Sequence, residues 1–336
     1  MVDAAINDGL AIEEMAFAHI VPTHDTQEAI PERSIAAVAC AALVRWSVHQ
    51  PAALVSQESG ANAVFAVESD GDTCFLRLTD PASRTLEDVE VEVAFLEHLS
   101  ACGVQVAMPV PSSVGRVIET VDGCFAVLFR RAPGLHVTPS DAAWSEDLFR
   151  AWGRTLALQH KASLTFRNAS GGWRRDWRLE PVMRDGLVRI KAQDAELAQA
   201  GAGMLSELER SRPALGEVGI IHADLAPQNF RYEPGTGITS FDFANCCCHW
   251  FLYDLAVSRS VLRLQPEREK LALWMANGYQ EVRLLPGDEV LIGLLLKLRT
   301  LYVYYARLRQ FGKAPSADQI GRLGEIRKRF LQGPFW

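Results

Sequence analysis

Hydrophobic and polar positions change period several times along this chain, and each change marks an element. Between Ile30 and Val48 apolar residues recur at helical spacing, with Ile35, Val38, Leu43 and Trp46 as candidate buried positions and Pro51 beyond the end. From Leu54 to Leu78 the pattern shortens to that of strands. Leu54-Val55 opens one, Ala63 to Val67 alternates as a second, and Thr73 to Leu78 forms a third. Ser59-Gly60-Ala61-Asn62 and Ser69-Asp70-Gly71-Asp72 read as the turns between them. Helical spacing returns from Ser83 to Cys102 through Leu86, Val89, Val93, Leu96 and Leu99, with Gly103 as a stop signal. Asp122-Gly123 then joins Val117–Val121 and Cys124–Phe129 into a hairpin.

The second half is patterned differently. Trp144–Leu164 and Leu187–Ser211 read as helices. The first carries Phe149, Trp152, Leu156 and His160 on one face, with His160 expected in a structural role. Between them, the stretch SGGWRRDWRLE over Ser170–Glu180 reads as a loop whose Trp173, Arg174, Arg175 and Trp177 could border a substrate. Ile220-Ile221 ends a short strand, and a polar loop from His222 to Asn229 follows, where Pro227 opposes a helix interior. Phe230–Tyr232 and Ile238–Asp242 form a hairpin around the turn formers Glu233–Gly237. Helices finish the chain after Ala256, and the strongly apolar Leu291–Phe311 is mostly core. The expected class is α+β, with an extension over 1–30, a β-rich part over 31–130 and a mainly helical part over 131–336.

The 336 residues are enough for two lobes with sizeable cores. A hydrophobic fraction of 49% and a charged fraction of 22% are ordinary for globular chains. The net charge of −7 argues against nucleic acid as a partner. The cysteine count is seven, odd and without framework spacing, which suggests reduced thiols. Cys246-Cys247-Cys248 with His249 reads as a partly buried apolar segment, because zinc sites favour spaced pairs. No apolar run approaches the length of a membrane span, and the start lacks the basic and apolar segments of a signal peptide. No membrane partner is expected, and the cytoplasm is the default compartment.

The candidate chemistry lies in the polar loop. Asp224 and Asn229 are five positions apart on it, and the neighbouring hairpin delivers Asp242. Two such oxygen donors can hold a hard cation such as Mg²⁺, which leaves Asp224 to take a proton from a hydroxyl. That arrangement suits phosphoryl transfer, where the protein mainly positions groups and neutralises charge.

His222-x-Asp224-x4-Asn229 resembles the H-x-D-x4-N catalytic loop of the protein-kinase-like fold, and Asp242-Phe243-Ala244 stands where D-F-G does there. No Arg follows His222, which points away from protein kinases. Leu225, Pro227 and the run Trp250–Ala256 resemble the aminoglycoside phosphotransferase family, as does Gly153–His160 beside the family's Gly-x-x-Leu-Ala-x-x-His. The wording is nearest the branch that holds type II homoserine kinases and spectinomycin kinases. That branch usually has D-F-D-D, so Ala244 and Asn245 depart from it by removing two acids.

The resemblance implies a two-lobed protein-kinase-like fold and a phosphotransferase that uses ATP and Mg²⁺. Asp224 would be the catalytic base, and Asn229 and Asp242 the metal ligands. Gly60 and Asn62 would lie on the turn that covers the nucleotide phosphates. Arg77, in Leu76-Arg77-Leu78, would hold those phosphates where many kinases use Lys, with Glu92 as its partner and Glu90 as the rival. Phe129 and Arg130 would reach the inter-lobe hinge, where backbone groups bind adenine. The implied acceptor is a hydroxyl of a small polar molecule such as an amino alcohol or aminoglycoside, and a homodimer stays open. Two other readings compete. A nucleotide-binding pseudokinase would fit Arg77 and Ala244, and a metal-dependent hydrolase could be built on His222 and Asp224.

Overall fold

The computed structural model describes residues 35–48, 53–59, 62–69, 72–168, 174–285, 289–312 and 315–333. The extension over 1–30, Gly60 and Trp173 lie outside the described residues.

Alternating apolar residues build an antiparallel sheet from the first part of the chain. Strands β1 (Ala53–Ser59), β2 (Asn62–Ser69), β3 (Asp72–Thr79), β4 (Pro109–Val110), β5 (Glu119–Val121) and β6 (Cys124–Arg130) pair in the order β1-β2-β3-β6-β4, with β5 also on β6. Register sets Arg77 of β3 beside Val64 of β2 and Val127 of β6, in the middle of the sheet. Phe65, Val67, Leu76, Leu78, Ala126 and Leu128 fill one core with helix α1 (Ile35–Leu43). This helix ends at Leu43, short of the expected Val48, in a single tight turn where Trp46 donates from Nε1 to the Val110 carbonyl at 2.7 Å.

Helix α2 (Leu86–Ala101) starts at a capping box, in which Thr85 and Asp88 satisfy each other's backbone N–H groups. Its inner face carries Val91, Phe95, Leu96 and Leu99 into a second cluster with Phe166, Ile220 and Phe243. Phe95 meets Phe166 edge-on at 5.3 Å and Phe243 at 6.3 Å between centroids. Through these rings the helix that borders the sheet is packed onto the turn just after Asp242.

The rest is mainly helical. Helix α3 (Glu146–Ser163) lies against α7 (Arg268–Gln280), and glycines set how closely. A Cβ on Gly153 would sit 1.8 Å from the Met275 carbonyl oxygen, and one on Gly278 would sit 2.0 Å from that of Arg150. The single helix expected over Leu187–Ser211 is two, α4 (Pro181–Gln193) and α5 (Ala195–Arg210). The break falls at Asp194, whose carboxylate caps the second helix by accepting from the Leu197 N–H. Two small sheets follow, β7 (Val218–Ile221) with β10 (Cys247–Trp250) and β8 (Phe230–Glu233) with β9 (Gly237–Ser240). Helices α6 (Phe251–Leu262), α8 (Glu289–Phe311) and α9 (Ala317–Gln332) complete the layer. Among the described residues no helix is long and apolar enough to cross a membrane.

Candidate active site

Strand β7 is exposed at Val218 but buried from Gly219 to its end at Ile221, so the loop from His222 begins in the interior. One carboxylate organises it. Asp254, on α6 and 1% exposed, accepts from the backbone N–H of His222 at 3.0 Å and of Ala223 at 2.7 Å. Ala223 has a φ of 62°, a conformation that costs an L-residue energy and is held here by that second bond. His160 adds a third contact, Nε2 to Asp254 at 3.1 Å, with Nδ1 on the Tyr279 hydroxyl at 2.9 Å. Burial pulls the His160 imidazole below its usual range, with Asp254 opposing in part. His160 is therefore structural: it fixes the carboxylate that fixes the loop.

Removing that carboxylate has a definite expected cost. Asp254→Ala leaves two buried backbone donors and a buried imidazole without their acceptor. The loss should reach about 3 kcal/mol or more in urea unfolding, since each stranded group costs about 1–3 kcal/mol. An unfolding midpoint equal to that of the parent protein would show that the loop does not depend on Asp254.

His222 is the second brace. Its Nδ1 accepts from the Asp224 N–H at 3.3 Å, and its Nε2 donates to the Phe241 carbonyl at 3.1 Å. One neutral tautomer makes both bonds. The loop that carries Asp224 is thereby tied to the segment that carries Asp242. Asn229 closes the loop by donating from Nδ2 to the Asp224 carbonyl at 2.9 Å, which leaves its Oδ1 as the atom able to meet a cation.

Asp242 lies just past β9 with a φ of 61°. Its surface is exposed to solvent, although neighbouring elements crowd around its carboxyl. Removal from water lifts its carboxyl above the usual range. Arg77 opposes that shift, while the nearby charges of Glu92 and Asp224 add to it. Arg77 and Glu92 are both buried and form a fork-to-fork pair at 2.7 and 3.1 Å. The pairing selects Glu92 of the two candidate acids. The Arg77 guanidinium also lies 5.1 Å from the centroid of the Phe129 ring, and its Nε is buried without a protein acceptor.

Asp224, Asn229, Asp242, Arg77, Glu92 and Phe129 thus gather around one cleft. Two other predicted residues are held differently. Asn62 accepts from the Thr79 hydroxyl at 2.9 Å, and Arg130 donates its backbone N–H to the Met108 carbonyl at 3.0 Å with its side chain exposed.

Arg174, expected near substrate, is instead 2% exposed. Its guanidinium donates to the carbonyls of Cys246 at 2.6 Å, Asp88 at 2.6 Å and Ala244 at 2.7 Å. Arg84 also reaches the Ala244 carbonyl, at 3.2 Å. This clamp holds the turn after Asp242 to the start of α2. Trp177 is likewise buried, stacked 4.8 Å from His249. The cysteine run is a buried segment: Cys247 and Cys248 pair with Ile221 and Ile220, and burial pushes the Cys246 thiol up to about 12. Among the described residues no three His, Cys, Asp or Glu side chains converge as a metal-binding group. A hard cation would need only Asn229 and Asp242, with phosphate and water oxygens completing its shell.

Arg299 was not legible as a site residue. It rises from α8 and ion-pairs from Nη2 with Asp224 Oδ1 at 2.6 Å. Its one signal was an arginine within the apolar run Leu291–Phe311.

A small sheet-bearing lobe, a helical lobe and a cleft holding this loop define a protein-kinase-like phosphotransferase. The comparisons agree. Residues 56–285 match the profile of the phosphotransferase enzyme family, and the chain belongs to that family. It is 26% identical over 289 residues to amicoumacin kinase of Bacillus subtilis (strain 168), covering 81% of this chain and 82% of that one. It is 31% identical over 239 residues to a homoserine kinase of Xanthobacter autotrophicus, covering 69% and 72%. A solved amicoumacin kinase in complex with AMP-PNP, Ca²⁺ and Ami superposes with a TM-score of 0.74 at 24% identity, covering 85% of this chain and 90% of that one. The protein is an enzyme that phosphorylates a hydroxyl group of a small molecule.

Proposed function

We propose that the enzyme transfers the γ-phosphoryl group of Mg·ATP to its acceptor with Asp224 as the base. The observation that carries this reading is the meeting of Asp224, Asp242 and the Arg77–Glu92 pair in one cleft. The acceptor oxygen attacks the γ-phosphorus, the bond from that phosphorus to the bridging oxygen breaks, and ADP leaves with the electron pair. Asp224 orients the hydroxyl and receives its proton. Asn229 Oδ1 and Asp242 would hold the cation, which when bound neutralises phosphate charge. Arg77 holds phosphate oxygens, and its unpartnered buried Nε fits that role. Phe129 and Arg130 end the sheet at the hinge, so we divide the lobes at 130/131, and the turn at Gly60 and Asn62 would cover the phosphates. No disulfide joins the seven cysteines, as suits a reducing compartment, and we place the enzyme in the cytoplasm.

The phosphate-holding pair tests this assignment. Arg77→Ala should raise the KM for ATP about tenfold and lower kcat, the scale of a lost charge-assisted contact. Glu92→Gln keeps one hydrogen bond to Arg77 and should act in the same direction more mildly. Wild-type ATP kinetics in both variants would remove Arg77 from the nucleotide site.

A further inference from the structure

Beyond the catalytic loop, α6, α8 and α9 border a partly open cavity of about 280 Å³. Its lining includes Arg263, Arg299, Arg307, Arg322 and Arg329, against the single acid Glu325. Helices α8 and α9 lie past residue 285, where the family match ends.

Not all of this charge is free. Arg322 pairs with Asp318 at 2.9 Å on the exposed side of α9, and Arg307 donates to Gln310. The inner wall is less compensated. Arg263 spends Nη1 on the Ser260 carbonyl at 3.1 Å, a neutral acceptor. Arg329 is half-buried, and its Nε has no acceptor at all. Burial and the neighbouring charge of Arg263 both pull the Arg329 guanidinium below the usual arginine range, with Glu325 opposing. Two half-buried guanidinium groups whose charges act on each other are costly unless an anion offsets them. Arg299 lines the same cavity, and its guanidinium reaches Asp224, the proposed base, at 2.6 Å and the Ala223 carbonyl at 3.5 Å. With five N–H donors in a fixed fork, it can also serve an anion in the cavity.

We propose that the cavity is an oxyanion subsite for the acceptor: the molecule phosphorylated carries a carboxylate or phosphate in addition to its hydroxyl. Arg263 and Arg329 grip the oxyanion, Arg299 shares it, and the hydroxyl is presented to Asp224. The volume suits a small metabolite. An amine on the same molecule is compatible, since the charge requirement concerns only the end inside the cavity. The role as acceptor subsite rests on the phosphotransfer reading above, whereas anion binding itself does not.

The test uses the full chain and four hydroxyl compounds of similar size: glycerol, ethanolamine, glycerate and glycerol 3-phosphate. Calorimetric titration without nucleotide should show glycerate or glycerol 3-phosphate binding at least about tenfold more tightly than the neutral and cationic probes. Which of the two anions is preferred tells carboxylate from phosphate. Arg263→Gln and Arg329→Gln should each weaken that binding about tenfold, the scale of one lost charge-assisted hydrogen bond. Mg·ATP affinity in both variants, measured by the same titration, reports that the fold is intact. Arg329→Gln removes a desolvated charge and is expected to fold.

Anionic probes that bind no better than glycerol would overturn the proposal, as would unchanged affinity in both variants. An anion that binds through these arginines, yet neither accepts phosphate nor competes with a compound that does, would mark a separate effector site and overturn the acceptor assignment. Because binding is read without ATP, these results stand apart from the outcome for Asp224 itself.

Discussion

Replacing Asp224 by Asn is expected to cut phosphorylation of the acceptor about a hundredfold or more while leaving Mg·ATP binding close to normal. That scale follows from losing a general base together with its positioning role. The substitution is nearly isosteric, and the loop is held from elsewhere: by Asp254 on the His222 and Ala223 N–H groups, and by Asn229 on the Asp224 carbonyl. The backbone should therefore stay in place, so the loss would be chemical. Arg299 would lose its charged partner, but its fork would keep the amide oxygen as an acceptor. Parallel measurement of kcat and of ATP affinity separates the two effects. A rate within a few-fold of the parent's would remove Asp224 from the chemistry.

Asp242→Ala should be more severe. It should abolish measurable turnover and weaken Mg·ATP binding sharply, because the loss takes away a cation ligand in a cleft where Asn229 is the other proposed donor. It also deprives the buried Arg77–Glu92 pair of a neighbouring negative charge that favours the Arg77 cation. Binding of ATP measured with and without Mg²⁺ distinguishes these consequences. The parent should show strong dependence on the metal and the variant little. A variant with undiminished metal dependence would mean that Asp242 holds no cation.

The elements that carry the chemistry were largely legible in the sequence, because they are short-range patterns. Strand, polar loop and hairpin follow one another over Val218–Ser240, and the Asp-Gly turn at Asp122-Gly123 joins β5 to β6 as expected. What failed was information carried between distant segments. Arg174 read as a residue bordering substrate in an aromatic and basic loop. Only the fold reveals that three carbonyls, two of them at Ala244 and Cys246, converge on it. Strand β10 was hidden in the cysteine run, because its pairing partner Val218–Ile221 lies far back in the chain. The break at Asp194 was missed because apolar spacing continues through it, while the cap that ends one helix and starts the next is a single hydrogen bond. Arg299 stands in an apolar helix, where its meaning depends on what α8 faces. The loss of two acids at Ala244 and Asn245 also reads differently in three dimensions. The Ala244 carbonyl anchors the Arg174 clamp, and the Asn245 amide lies 3.5 Å from Asp224 Oδ2.

The most direct measurement of the central claim is ³¹P nuclear magnetic resonance of a reaction mixture containing the enzyme, Mg·ATP and pooled hydroxyl compounds, among them hydroxy acids, sugar phosphates, amino alcohols and aminoglycosides. The account predicts a new phosphate-monoester resonance that grows in step with ADP and is absent with Asp224→Asn. ATP that remains intact with every pool, or ADP matched only by inorganic phosphate, would contradict it.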